Sequence, residues 1–156
     1  MVAYTDSLGF YKNSAGFTAN YTDRVSVIEI DLDFRKIAAA RSAAGAAALA
    51  ATDTLVVGTL PKGSYVVAAA LTLVRAEGAA GTIDVGVSGA TTLFASNFDL
   101  NAAVGTTAGV TNGARYQTAD TGILMTIDSN DVNAARVKVS IAVINMGADL
   151  GTIPSA

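Results

Sequence analysis

The sequence contains no cysteine, no histidine and no tryptophan, and only two prolines among its 156 residues. Without cysteine there can be no disulfide, no thiolate metal site and no sulfur nucleophile. Without histidine the usual general base is missing, and with it the Ser-His-Asp arrangement and most zinc and transition-metal sites. Glutamate occurs only at Glu29 and Glu77. Neither stands in a recognisable catalytic setting, so paired-carboxylate glycoside hydrolysis has little to work with. These absences predict a chain that is not an enzyme and carries no cofactor and no metal.

Positive charge is also sparse. Ten Lys plus Arg face 13 Asp plus Glu, for a net charge of -3 and a pI of about 4.7. The basic residues are spread along the chain, whereas a nucleic-acid binder needs them clustered on one face. No nucleic-acid partner is expected. The N-terminus shows no basic region followed by an apolar run, which predicts a protein without a secretory signal. The Ala-rich stretch 37–51 is too short, and too broken by Arg41 and Gly45, to cross a bilayer. No membrane partner is expected either. The length suits one domain with a real core, although the 51% apolar content is inflated by alanine.

What is present is strand periodicity. In Arg136-Val137-Lys138-Val139-Ser140-Ile141-Ala142-Val143-Ile144-Asn145-Met146, the residues Val137, Val139, Ile141 and Val143 share one parity. A period of two throws alternate side chains to opposite faces, so this segment predicts a strand with one apolar and one wet face. Arg24 to Asp33 predicts another. Its apolar parity switches between Val27 and Ile28, which suggests a bulge or a strand buried on both sides. Glu29, Asp31 and Asp33 line one face of it; as a cation site they compete with the commoner reading, a solvated face.

Between Phe34 and Thr52 the pattern changes. Asp33 is a suitable cap for a helix starting at Phe34, and alanine favours helix, but Gly45 opposes it. A thin helix with an inward stripe of Phe34, Ile37, Ala38, Arg41, Gly45 and Ala48 competes with an irregular crossing. Thr54 to Leu60 and Ser64 to Arg75 then predict a hairpin. Its turn would be Leu60-Pro61-Lys62-Gly63, with proline second and glycine fourth as type I favours. Tyr65, Val67, Leu71 and Leu73 would form the apolar face of the longer strand. Ile83, Val85 and Val87 alternate, Ser88-Gly89 turns the chain, and Thr91 to Ala95 follows. Residues 97–119 hold no sustained pattern and predict a long loop. Ile123, Met125 and Ile127 mark a further strand, joined by Ser129-Asn130-Asp131 to the last one.

The motifs that could carry chemistry fail on detail. Asp128-Ser129-Asn130-Asp131-Val132-Asn133 has the flavour of a calcium loop, but Val132 sits where a ligand belongs and no glycine follows. A hairpin turn explains it better. Lys62-Gly63-Ser64 has the letters of a phosphate loop in the wrong order.

Residues 1–23 differ from the rest. Tyr4, Phe10, Tyr11, Phe17 and Tyr21 are half of the aromatics (Phe 5, Tyr 5), set among small polar residues without sustained period. They predict either a frayed end or an extended arm whose rings contact a neighbouring subunit or a capsid protein, since aromatics concentrate at interface centres. The expected division is therefore an arm at 1–23, a β-sandwich domain at 24–146 and a tail at 147–156. About seven short strands with one Ala-rich connector fit an immunoglobulin-like sandwich or a jelly roll. No Cys-Trp-Cys spacing supports the first.

The run Leu32-Asp33-Phe34-Arg35-Lys36-Ile37-Ala38-Ala39-Ala40-Arg41, followed by Ala50-Ala51-Thr52-Asp53-Thr54-Leu55, resembles small head proteins of tailed bacteriophages. Leu60-Pro61-Lys62-Gly63, Thr82-Ile83-Asp84-Val85-Gly86-Val87 and the Asn/Asp-rich turn before the last strand add to the likeness, which spans roughly 24–146. The family is the capsid decoration, or cement, proteins. The resemblance implies an all-β, antiparallel jelly-roll-like sandwich with one short Ala-rich helical or irregular connector. It also implies a structural virion protein made in the host cytoplasm and placed on the outer capsid surface. There it would be a homo-oligomer, a trimer by the family's habit, and its partner would be the major capsid protein. A tail-fibre or receptor-binding sandwich is the competing expectation, and a hydrolase on the same scaffold a more distant one.

Overall fold

The computed structural model describes residues 3–5, 11–13, 25–110 and 115–145. In chain order the elements are β1 (Ala3–Thr5), β2 (Tyr11–Asn13), β3 (Val25–Asp33), α1 (Phe34–Ala43), β4 (Thr54–Leu60) and β5 (Ser64–Arg75). They continue as β6 (Thr82–Val87), β7 (Ala90–Asp99), β8 (Thr107–Val110), β9 (Arg115–Tyr116), β10 (Thr121–Ser129) and β11 (Arg136–Asn145). One sheet has the order β3-β11-β5-β8, with β9 also on β5; the other has the order β4-β10-β6-β7. All pairings are antiparallel.

The alternation in β11 does what its period demands. Val137, Val139, Ile141 and Val143 are buried, while Lys138 stays exposed and Ser140 and Ala142 are half-buried on the other face. Opposite them, the second sheet presents Ile83, Val85, Val87, Ile123, Met125 and Ile127, all buried. Leu71, Leu73, Phe94 and Phe98 complete one continuous core between the sheets. Each of these side chains is worth about 1.5–3 kcal/mol when fully removed from water. The strand connections alternate between sheets: of the successive strands from β3 to β11, only β6–β7 and β8–β9 stay in one sheet. Together the two strand orders make an all-β, jelly-roll-like sandwich.

This topology corrects two expected hairpins. β4 and β5 lie in different sheets, and so do β10 and β11. A short connection reverses the chain in both cases, but the reversal carries it across the sandwich. The first turn is also displaced by one residue. Ser64 N–H donates to the Pro61 carbonyl at 3.2 Å and Gly63 has φ +79, so glycine is third, at the left-handed position. By contrast, Ser88-Gly89 does join a true hairpin, with Val87 opposite Ala90.

The inward face of β5 differs from the expected one. Ala142 faces Ala68 and Val143 faces Val66, so Val67 is an extra residue in β5. This bulge flips the parity: Ser64 and Val66 are buried before it, and Ala69, Leu71 and Leu73 after it. Tyr65 and Val67 therefore point away from the core. In β3 no bulge occurs, because its register with β11 is continuous. Val27 is 57% exposed and shares the outer face with Glu29 and Asp31, so the strand is not buried on both sides.

Helix α1 starts where its cap predicts, with the Asp33 carboxylate accepting the Arg35 N–H at 3.2 Å. It ends at Ala43, and Gly45 follows at φ +68. Of the expected inward stripe only Phe34 is buried, and Gly45 and Ala48 are exposed. Leu49 supplies the second anchor of the connector, 2% exposed. Both expected forms are thus present, a helix to Ala43 and an irregular crossing after it. The crossing is tied by Arg41, whose Nε donates to the Ala47 carbonyl at 2.7 Å, and by Asp53, which accepts the Ala50 N–H at 3.0 Å.

Residues 97–110 and 115–119, the described part of the expected long loop at 97–119, are more ordered than their composition predicts. β7 runs on to Asp99, and β8 and β9 pair with β5. A bulge at Ser96-Asn97 places Asn97 at φ 51, with its N–H bonded to the Asp84 carboxylate at 2.8 Å. The expected tail at 147–156 lies outside the described residues.

Candidate interaction surfaces

Two clusters of charge sit where β3, β5 and β11 end together. Arg75 donates to Asp33 at 2.6 Å and, through Nε, to the Ala134 carbonyl at 2.7 Å. Glu77 accepts the N–H groups of Asn133 (2.9 Å), Ala134 (3.0 and 2.9 Å) and Ala135 (2.6 Å). The Ala135 carbonyl in turn accepts the Phe34 N–H at 3.0 Å. Helix start, β5 end and β11 entry are thus knotted together by residues far apart in sequence. For Asp33, partial burial pushes the carboxyl pKa up. The Arg75 hydrogen bond and charge, with the N–H groups of Arg35 and Lys36, outweigh this and hold it below the ordinary value.

The second cluster lies on the outer face of the same sheet. Arg136 grips Asp31 with both ends of its guanidinium, Nε at 2.9 Å from one oxygen. This hydrogen bond, against a smaller desolvation and with the charges of Arg136, Lys138 and Lys36, lowers the Asp31 pKa; the Arg136 pKa is raised reciprocally. Two of the three acidic residues on β3 are therefore ion-paired, which is the use their spacing serves here. Among the described residues no group of three His, Cys, Asp or Glu side chains is placed to hold a metal ion. Val132, in the calcium-loop look-alike, is 1% exposed and belongs to the core.

Beyond Asp31 the outer face becomes small and flat. Ser140 lies between Glu29 and Ala70, and Ala142 between Val27 and Ala68. Ala68 and Ala70 are exposed. The small residues thus line the outside of the sandwich, where another molecule can approach closely, and take no part in packing sheet on sheet.

The four sheet edges are unequal. β3 carries Glu29, Asp31 and Asp33; β7 is kinked by its bulge; β8 and β9 are short. Charge, bulges and shortness all discourage pairing with a foreign strand. β4, Thr-Leu-Val-Val-Gly-Thr-Leu, has no charge and no proline but is likewise bulged: Gly58 faces Ile123 and Val56 faces Leu124, so Val57 is an extra residue, and Val56 is 71% exposed.

Of the expected contact aromatics, Tyr4 lies in β1 and Tyr11 in β2. These strands pair antiparallel, Tyr4 opposite Lys12 and Thr5 opposite Tyr11, as a sheet separate from the other two. Phe10, Phe17 and Tyr21 lie outside the described residues. Sequence reasoning missed the β1–β2 pair because three-residue strands are too short to display a period. It also missed Glu77, whose partners are contiguous backbone groups and leave no side-chain pattern.

No protein-family model matches the chain, and no curated protein matches it. Solved structures do. A chain in the capsid asymmetric unit of cyanophage Pam1 is 20% identical, with 90% of this chain and 96% of that chain covered at a TM-score of 0.58. In the capsid of Ralstonia phage GP4 the corresponding values are 17%, 78%, 84% and 0.55. In the acid-stable capsid of Helicobacter pylori bacteriophage KHP30 they are 12%, 80%, 90% and 0.54. The fold of this chain is that of chains found in phage capsids.

Proposed function

We propose that this protein is a structural component of a phage virion that decorates the outer capsid surface and braces the major capsid protein lattice. The observation that carries the reading is the near end-to-end fold match to the cyanophage Pam1 capsid chain, 90% of one chain on 96% of the other. A match of that extent leaves little of either chain for a separate activity domain. Chemistry supports the same reading: an acidic chain without a basic cluster suits the outside of a DNA-filled shell. The absence of His and Cys suits a role without catalysis.

In this reading the sandwich of 24–146 is the body, assembled as a homotrimer whose closed symmetry covers exposed edges and small-residue faces. Residues 1–23 are the arm that contacts a neighbouring subunit or the capsid protein, with Tyr4, Phe10, Tyr11, Phe17 and Tyr21 as its anchors. A chain beginning at Arg24 is expected to fold with an unchanged Tm and to lose capsid occupancy, because aromatics such as Tyr are enriched among the few interface residues whose truncation costs about 2 kcal/mol or more. Full decoration of shells by the shortened chain would remove the arm from the mechanism. The tail-fibre alternative is separated by counting copies per particle, since a decoration protein recurs across the whole shell.

A further inference from the structure

Helix α1 and the outer face of the β4-β10-β6-β7 sheet complement each other in charge and in shape. A helix shorter than about 12–15 residues is marginal in water and relies on packing for its stability. α1 has ten residues, and only Phe34, in its first turn, is buried. Ile37, Ala38 and Arg41 follow on that side, half-buried. Lys36, Ala39, Ala40 and Ala43 are exposed on the opposite side, at the three- and four-residue spacing of a single helix face. That face is basic at its start, where Arg35 stands beside Lys36, and small and apolar at its end.

The sheet face runs through the same change with opposite charge. Leu124 lies between Val56 and Gly86, and Thr126 between Thr54 and Asp84. Further along, the Thr82 hydroxyl donates to the Asp128 carboxylate at 3.2 Å, and Asp99 is the partner of Thr82 on β7. One end of the face is therefore apolar and flattened by Gly86 and Gly122; the other carries three carboxylates. Leu124 to Asp128 spans about 14 Å of strand, and Lys36 to Ala43 about 10 Å of helix. Among the described residues the salt bridges are Arg41–Asp53, Arg75–Asp33 and Arg136–Asp31. Neither the three carboxylates of this face nor Arg35 and Lys36 take part in them.

We propose that α1 of one copy docks across the outer face of the β4-β10-β6-β7 sheet of a second copy. Arg35 and Lys36 then meet Asp84, Asp99 and Asp128, while the helix alanines lie on Leu124 and Val56. The occupant is a second copy because every chain carries both halves of the match, and no ion pair joins them within one chain. Such a contact is heterologous, each copy giving its helix to one neighbour and receiving that of another. Contacts of this kind close into a ring when the rotation permits, and a trimer is such a ring. Complementary charge at one end fixes the direction in which the helix lies. This inference rests on reading the protein as a homotrimer, and it names the surfaces that meet.

Reversing the charge on each side, and then on both, tests it. Arg35→Glu with Lys36→Glu should leave α1 intact, since acidic residues are favourable in a first helical turn. Asp99→Lys with Asp128→Lys changes two exposed positions of the sheet face. Either pair sets like charges against each other and should weaken self-association at least about tenfold, read by sedimentation over a concentration series. The chain with all four changes restores opposite charges and should associate again. Circular dichroism verifies that each variant is folded; Asp99→Asn with Asp128→Asn replaces the lysine pair if that one is not. Unchanged association in the reversed pairs would overturn the proposal, and so would a folded four-residue variant that stays dissociated. If the trimer survives every reversal, the trimer reading stands and only this interface is wrong. A surviving trimer that loses capsid occupancy when α1 is reversed would give the helix to the capsid protein instead. An intact chain that is monomeric at every concentration would overturn the trimer reading itself.

Discussion

The Glu77 carboxylate accepts the N–H of Ala135 at 2.6 Å, a contact between residues 58 apart in the chain. The same carboxylate takes the N–H groups of Asn133 and Ala134, so one side chain satisfies a loop that has no sheet partner of its own. That loop delivers Arg136 to the start of β11, which is one of the two inner strands of its sheet.

Glu77→Ala should therefore destabilise the domain well beyond a surface change. Hydrogen bonds to charged groups contribute about 1.5–3 kcal/mol each, and three backbone donors would lose their acceptor, with water recovering part of the loss. A loss of about 3 kcal/mol is expected, read as a lower denaturant midpoint at constant m-value. Glu77→Gln keeps one acceptor oxygen and should lose less. An unchanged midpoint in the alanine variant would show that the loop holds itself.

Ile141→Asp should unfold the protein, because it buries a carboxylate with no partner between the sheets. The penalty is several kcal/mol, comparable to the about 5–15 kcal/mol total stability of a domain. Ser140→Lys should be tolerated: Ser140 lies on the outer face beside Glu29, where a positive charge is favourable. Circular dichroism melts of the two variants check this, and equal Tm values would contradict the facing.

Gly86→Ala should be among the worst conservative changes. A β-carbon there would overlap the Ala90 carbonyl oxygen and stand 2.5 Å from the Thr91 carbonyl carbon, both rigid backbone atoms of the paired strand. Overpacking of this kind costs about 1–3 kcal/mol. Gly109→Ala meets only the Ala69 carbonyl oxygen at 3.7 Å and should be neutral or mildly stabilising. A larger Tm loss for Gly109→Ala than for Gly86→Ala would refute the packing argument.

Acid should weaken the fold through Asp31 and Asp33. Both carboxyls are held below their ordinary pKa in the folded protein. Their contribution is thus fully present above the unfolded value of about 4 and is lost as pH falls through the lower folded values. Stability should decline below about pH 4. Asp31→Asn with Asp33→Asn should be less stable at neutral pH and show a flatter acid limb. An acid limb of unchanged steepness in the double variant would assign the effect to other carboxylates.

Alternation is a property of neighbouring residues, so the sequence alone determined the strands β6, β10 and β11, their buried faces and the start of α1 at its Asp33 cap. Composition likewise determined that no Cys or His chemistry is available. Which sheet each strand joins was decided only by tertiary structure. The chain around Pro61-Lys62-Gly63-Ser64 reverses direction in either a hairpin or a crossing, and only the competition between β10 and β5 for β4 separates them. The same holds for β5, where the extra residue Val67 has meaning only against the register of β11. It holds most clearly for Glu77, because its ligands are backbone N–H groups that every residue but proline carries. No local pattern marks which of them a folded chain will bring within 3 Å of a carboxylate.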